Sequence, residues 1–198
     1  MSFISVVFVV SLKTIGVWAF PLCIFVSLLT GFINGNILTR IQIPSFIATL
    51  GTGGILTSLA LLVSPLPVDA PASTYGLLDA VNGTTIGIPN LLLLTFGVFA
   101  LFYVILRFTT MGRNIYYVGS NIKMSWMSGI DIVRTRNFAF VLSGLGAGIA
   151  AIMQSCSQYG GDPVLGKVYI LQSIASVVVG GTALTGGTGG ATNTVIGA

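Results

Sequence analysis

The chain has 198 residues, 54% hydrophobic and 6% charged, with eight Lys and Arg against four acids and a net charge of +4. A soluble domain is about a quarter charged, so this composition excludes a water-facing globular surface and points to a lipid bilayer, as does the mean hydropathy of +1.00. The absence of histidine excludes a His-based metal site and a Ser/His/Asp triad, and no cofactor is expected.

A bilayer-crossing helix needs about 20 mostly apolar residues. By that rule the sequence predicts an all-α, polytopic membrane bundle of about six hydrophobic segments, one domain over residues 1–198. The first is a partial span, Met1–Leu12. No basic residue precedes it and no small-residue cleavage site follows, so it reads as part of a span rather than a signal peptide. Ile15–Leu38 follows, with Pro21 expected to loosen it locally, then Pro44–Ser64, where the glycine cluster Leu50–Gly54 is expected to do the same. Residues 65–88 form a loop with only Asp69 and Asp79 as charges, and Asn82–Gly83 suits a tight hairpin turn. Pro89–Leu106 is the next span; Pro44 and Pro89 suit helix starts, where a missing N–H costs nothing. A polar loop over 107–136 leads to the span Asn137–Ser157, and a Gly-rich segment runs from Val168 to the end. Both ends stop on apolar runs and read as cuts through a larger protein. Cys23 and Cys156 lie inside oily runs and read as small buried hydrophobes.

If the spans alternate, one side receives Arg40, Arg107, Arg113, Lys123, Arg134 and Arg136, and the other only Lys13 and Lys167. Cytoplasmic loops carry the Lys/Arg excess, so loop 107–136 is expected inside and loop 65–88 outside. Topology thus accounts for the net charge without a nucleic-acid partner. Within the inner loop, "SNIKMSWMSGID" reads as a short amphipathic helix, capped by Ser120 or Asn121 and ended by Gly129 in the left-handed conformation. Ile122, Trp126 and Ile130 share a face with Met124 and Met127 alongside, which suits either docking into a partner's groove or lying on the membrane surface.

The tract "GGTALTGGTGG", Gly180–Gly190, invites a phosphate-loop reading, but no Lys follows the glycines. ATP hydrolysis by this chain is therefore not expected. Two readings stay open for the glycines. Gly144/Gly148 and Gly186/Gly190 have the spacing of close helix–helix approach, and a Gly-broken helix is tolerated where backbone lines a pathway. The acids Asp69, Asp79, Asp131 and Asp162 all fall in predicted loops, which argues against a proton relay. A passive channel and Na⁺ coupling through hydroxyls and carbonyls stay open.

The run "GRNIYYVGSN…SGIDI" resembles the cytoplasmic loop of permease subunits of ATP-binding-cassette importers for ribose, xylose, galactose and similar sugars. "GFINGNILTRIQIPSFIATLGT", "LSGLGAGIAAIM" and "IASVVVGGTALTGGTGG" resemble the same family in the same order, so the likeness covers Gly31–Gly190. Branched-chain amino-acid permeases share that fold, and a branched-chain amino acid or a nucleoside is the alternative substrate. The resemblance implies an inner-membrane subunit that docks on a separate ATPase subunit, pairs with a second permease subunit and receives sugar from an external binding protein. It implies that loop 107–136 is the coupling element, with Gly112, Arg113, Asn114, Gly119, Asn121, Ser128 and Gly129 at matching positions. Trp126 stands in "IKMSWM", where family members carry small alanines and an acid; this implies a partner with an adapted groove. Family members extend beyond this chain at both ends, including an N-terminal "DLSVG"-type segment. A neutral sugar's pathway needs hydroxyl and amide groups, for which Asn34, Thr49, Thr52, Gln154, Ser157, Gln172 and Ser173 are candidates, with Phe46 as a stacking surface.

Overall fold

A computed structural model describes residues 1–41, 43–85, 87–183 and 186–198. Gln42 in the "RIQIPSF" block, Ile86 in loop 65–88, and Leu184 and Thr185 in the glycine tract lie outside the described residues. The chain is helical almost throughout: α1 Ser2–Ile15, α2 Ala19–Ile41, α3 Ser45–Val63, α4 Tyr75–Asn82, α5 Asn90–Phe108, α6 Thr110–Ser120, α7 Ile122–Met127, α8 Ile132–Gln158, α9 Gly166–Val179 and α10 Ala191–Gly197. Two antiparallel two-residue ladders complete it, β1 Val68–Asp69 with β4 Gly160–Gly161 and β2 Thr84–Thr85 with β3 Ile88–Pro89.

Among the described residues, four helical runs are long and apolar enough to cross a membrane: Ser2–Ile41, Ser45–Val63, Asn90–Phe108 and Ile132–Gln158. The most apolar of them, α5, has no buried residue. An apolar helix that no protein covers needs lipid as its solvent, so its exposure is the membrane signature in structural form.

The first run does not cross as one rod. α1 has 14 residues, about 21 Å at the usual rise, short of the hydrocarbon thickness. It ends at Gly16, whose φ of 62° is a conformation that favours glycine, and the chain reverses. Phe8 then meets Phe20 edge-to-face at 4.9 Å, and the Cys23 thiol donates to the Ile4 carbonyl at 3.9 Å. Up to Leu12, α1 is buried except along the half-buried Phe3–Val7–Val10 face, with Ile4, Val6, Phe8, Val9 and Leu12 at 5% exposure or less. Pro21 falls in the first turn of α2, where its missing N–H breaks no helical bond, so the expected loosening does not occur.

The tightest seam is α2 against α8. A Cβ on Gly31 would sit 2.5 Å from the Phe140 carbonyl oxygen, one on Gly144 2.5 Å from that of Ser27, and one on Gly148 would strike the Ser27 side chain. Pairing Ser27 with Gly148, Gly31 with Gly144 and Gly35 with Asn137 makes the two helices antiparallel. The spacing of Gly144 and Gly148 thus does what it predicted. Gly186 and Gly190 do not: among the described residues 186–190 lie outside any helix, so that pair is not a helix–helix face.

Two other expectations are corrected. α3 is continuous through Leu50–Gly54: no proline interrupts it, and in lipid the backbone keeps its hydrogen bonds inside the helix. The hairpin turn is not Asn82–Gly83. Asn82 closes α4, and the reversal lies between Thr85 and Ile88, where Gly87 has a φ of 78°.

The α2–α8 seam predicts a sharp contrast between glycines. Gly31→Leu should destabilise the bundle by about 1–3 kcal/mol through forced separation. Gly97→Ala, whose Cβ meets nothing within 4 Å, should leave stability within about 1 kcal/mol of the parent. Unfolding midpoints in graded SDS measure both.

Candidate functional site

Two regions gather the sequence-predicted residues. The first joins the end of α5 to the start of α8, on the side where α2 ends and α3 begins. Thr109 caps α6: its hydroxyl donates to the Ile105 carbonyl at 2.6 Å and accepts from the Gly112 amide at 3.0 Å. Gly112 is buried under the last turn of α5, where a Cβ would run into the carbonyls of Ile105 and Leu106. This fixes the sharp bend from α5 into α6, a helix the sequence reading left inside a loop; the Thr-x-x-Gly start was the signal for it. Arg113 reaches a cleft of about 360 Å³ lined also by Tyr103, Arg107, Tyr116 and Ala191, with the Arg107 guanidinium 5.8 Å from the Tyr103 ring centroid. Asn114 is half-buried on the same helix.

α7 forms as expected. Asn121 is its cap, accepting from the Met124 amide at 3.1 Å; Ser120 instead ends α6. The Ser128 hydroxyl donates to the Met124 carbonyl at 2.9 Å, and Gly129 closes the turn with a φ of 77°. Asp131 then caps α8, accepting from the Arg134 amide at 3.0 Å and pairing with its guanidinium at 3.1 Å. Among the α7 residues only Ser125 is buried. Trp126 is 72% and Met127 77% exposed, so the helix projects a bare apolar tip flanked by Lys123.

The second region is a cleft of about 570 Å³ between the start of α1, α3 and α9. It brings together Thr49 and Ser173, and adds Thr57, Ser58, Lys167 and Tyr169, which the sequence reading did not select. Gly53 and Gly54 line it too, so the α3 glycines make room beside an intact helix rather than breaking it. Thr57 lies just over two turns beyond Thr49 on α3, with Ser58 next to it. The Ser and Thr hydroxyls among these each donate to their own helix: Thr49 to Ser45, Thr57 to Gly53, Ser58 to Gly54 and Ser173 to Ile170, at 2.9 to 3.0 Å. The oxygens are left as acceptors.

The remaining pathway candidates are dispersed. Gln154 lines an adjoining cavity of about 200 Å³ with Ser5 and Tyr169. Thr52 bonds back to Ala48 at 3.1 Å and, like the exposed Phe46, Ser157 and Gln172, does not line the main cleft. Asn34 lies on α2 with its Oδ1 buried and no hydrogen-bond partner, as does the Asn137 Oδ1 on the facing α8.

The opposite face is closed by Tyr159, which ends α8 in the left-handed conformation, φ 52°. Its hydroxyl donates to Asp79 of α4 at 2.5 Å, its ring stands edge-on to Tyr75 at 5.6 Å, and its carbonyl accepts from the Ala70 amide at 2.8 Å. Asn82 adds a bond to the Cys156 carbonyl at 2.8 Å. Loop 65–88 is therefore tied down on α8.

Comparison with known proteins gives a consistent result. The family described as "Branched-chain amino acid transport system / permease component" matches residues 2–198. A probable ABC transporter permease protein of Escherichia coli strain K12 is 37% identical over 157 residues, 79% of this chain and 47% of that protein. The ribose import permease protein of Haemophilus influenzae is 34% identical over 181 residues, 90% and 56% respectively. The D-allose transport system permease protein of Escherichia coli strain K12 is 33% identical over 171 residues, 84% and 51%. The chain thus spans about half the length of these relatives. No solved structure matches.

The Tyr159 latch has a pH signature. The hydrogen bond to Asp79 is the largest cause raising the phenol above its ordinary value of 10.0. The neutral phenol is the form that is held, so the bond persists through neutral pH and is lost only as pH rises past the raised value. In Asp79→Asn the phenolate should form at lower pH than in the parent, as read from tyrosine ¹³Cζ NMR shifts; an unchanged midpoint would contradict the latch.

Proposed function

The chain belongs to the branched-chain amino acid transport system permease component family, and on that premise we propose that it forms the translocation pathway of an ATP-binding-cassette importer for a monosaccharide. It is a multi-pass membrane protein, and its residues 107–136 face the cytoplasm in this reading, with residues 65–88 on the outer face. A separate ATPase subunit supplies the energy, a second permease subunit completes the pathway, and an external binding protein delivers the sugar. Relatives named for ribose and D-allose import support a sugar over an amino acid as cargo.

The observation that carries the reading is α7. A six-residue helix that leaves Met124, Trp126 and Met127 between 61% and 77% exposed buries too little of itself to justify its order. It is nevertheless capped at both ends and braced by an Asp131-capped helix behind it. Trp and Met in the open suit a groove on a partner. The basic residues around it support a cytoplasmic position, because inner loops carry the Lys/Arg excess, and that is where an ATPase works. The cleft between α3 and α9, walled by hydroxyl oxygens and Tyr169, is the segment of the pathway this chain contributes. Its lining has an aromatic face, hydroxyl acceptors and the Lys167 cation as a donor but no acid, which fits a polyol.

Two outcomes follow. Trp126→Ala should lower recovery of the copurified ATPase about tenfold or more, the usual cost of truncating an aromatic anchor, while membrane insertion is unchanged. A cysteine at position 126 should react with an impermeant maleimide only after the cells are opened. Uptake in sealed vesicles that proceeds without ATP would overturn the importer reading.

A further inference from the structure

Among the described residues, the glycine tract meets the inner loop most tightly at Gly119 and Ser120. A Cβ on Gly119, in the last turn of α6, would lie 2.7 Å from the Gly187 amide nitrogen, and one on Gly187 2.7 Å from the Ser120 Cα. The Ser120 hydroxyl donates to the Gly187 carbonyl at 3.3 Å. Backbone therefore rests on backbone, with no side chain between to absorb a displacement by changing rotamer.

The tract is equally continuous with α9. The amides of Gly180, Gly181 and Thr182 donate to Ser176, Val178 and Val177 at 2.9 to 3.1 Å. The Ala183 amide donates to Thr188 at 3.3 Å and the Gly186 amide to Ala183 at 3.0 Å, which closes the loop on itself. Gly189 leans on the Thr182 side chain. One end of this piece thus touches the helix that precedes α7, and the other is the helix whose Ile170 and Ser173 wall the cleft.

We infer that Gly119 and Gly187 form the transmission contact, positioning residues through which movement of the inner loop is carried to α9. The inference rests on the coupling role proposed above. A push on α7 shifts α6, and the bare contact obliges Gly186–Thr188 and, through their bonds with Ala183, the end of α9 to follow. This assigns Gly119 to the inward face of the coupling element, against the tract, rather than to the surface that meets the partner.

Gly187→Ala tests it, with a control for backbone strain built into the fold. Gly187 and Gly181 share a φ of 82°, but a Cβ on Gly181 meets nothing within 4 Å. Gly181→Ala therefore brings the strain without the clash. Spin labels at Leu62→Cys on α3 and Leu171→Cys on α9, exposed by 81% and 76%, flank the cleft; Cys23 and Cys156 are buried. The distance between labels is measured by pulsed EPR in the full-length permease with its ATPase, before and after trapping with ATP and vanadate.

The parent and Gly181→Ala should change distance on trapping. Gly187→Ala should retain the ATPase within about twofold while the distance change falls at least fivefold, and Gly119→Ala, from the other side, should lose the distance change to the same extent. A full response in Gly187→Ala overturns the inference alone. Loss of the ATPase from Gly187→Ala makes the contact a docking element and overturns it as well. Failure of the parent to hold any ATPase overturns the coupling reading with it.

Discussion

The structure depends on the seam where α2 and α8 meet without side chains between them. Lipid offers no hydrophobic force to push helices together, so association has to come from contact itself. Gly31, Gly35, Gly144 and Gly148 bring two backbones close enough for dispersion and weak Cα–H···O contacts over the length of the helices. That seam gives α1 a wall to pack on, sets the level at which Tyr159 meets loop 65–88, and fixes the direction in which α8 receives α6 and α7. α3, α5 and α9, which bury little against it, are held more loosely.

The same contrast divides the molecule by role. The α1–α2–α8 core is where the fully buried residues concentrate, while the cleft and the inner tip are built from helices that retain exposed faces. A bundle with one rigid pair and several lightly packed neighbours has a natural division between frame and moving parts.

The spans were legible because their signal is local: uninterrupted apolar runs bounded by Pro44, Pro89 and the charged loop mark α2, α3, α5 and α8 within a few residues. The caps of α7 were legible for the same reason, since Asn121 and Gly129 act within one turn. What escaped was long-range. That α1 folds back at Gly16 depends on Phe8 meeting Phe20, and the Tyr159–Asp79 bond joins residues 80 apart. The glycines were misjudged at Leu50–Gly54 because composition does not tell a helix that bends from one that has a cavity at its side. Of the pathway candidates only Thr49 and Ser173 share the main cleft, because a hydroxyl's residue type is visible in a sequence and the face it occupies is not. No sequence cue pointed to the bond between Ser120 and Gly187.

On the proposed pathway, the self-bonded hydroxyls of α3 and α9 shape what the cleft favours. Thr49, Thr57, Ser58 and Ser173 each spend their only proton on their own helix and offer lone pairs, while Lys167 and the Tyr169 hydroxyl stand in the same wall as donors. A molecule rich in O–H groups can give protons to the first set and accept them from the second. An analogue stripped of a hydroxyl leaves one oxygen dry, at about 1–3 kcal/mol where water is shut out. Such a wall would favour solutes that both give and accept hydrogen bonds, a criterion that size alone does not express.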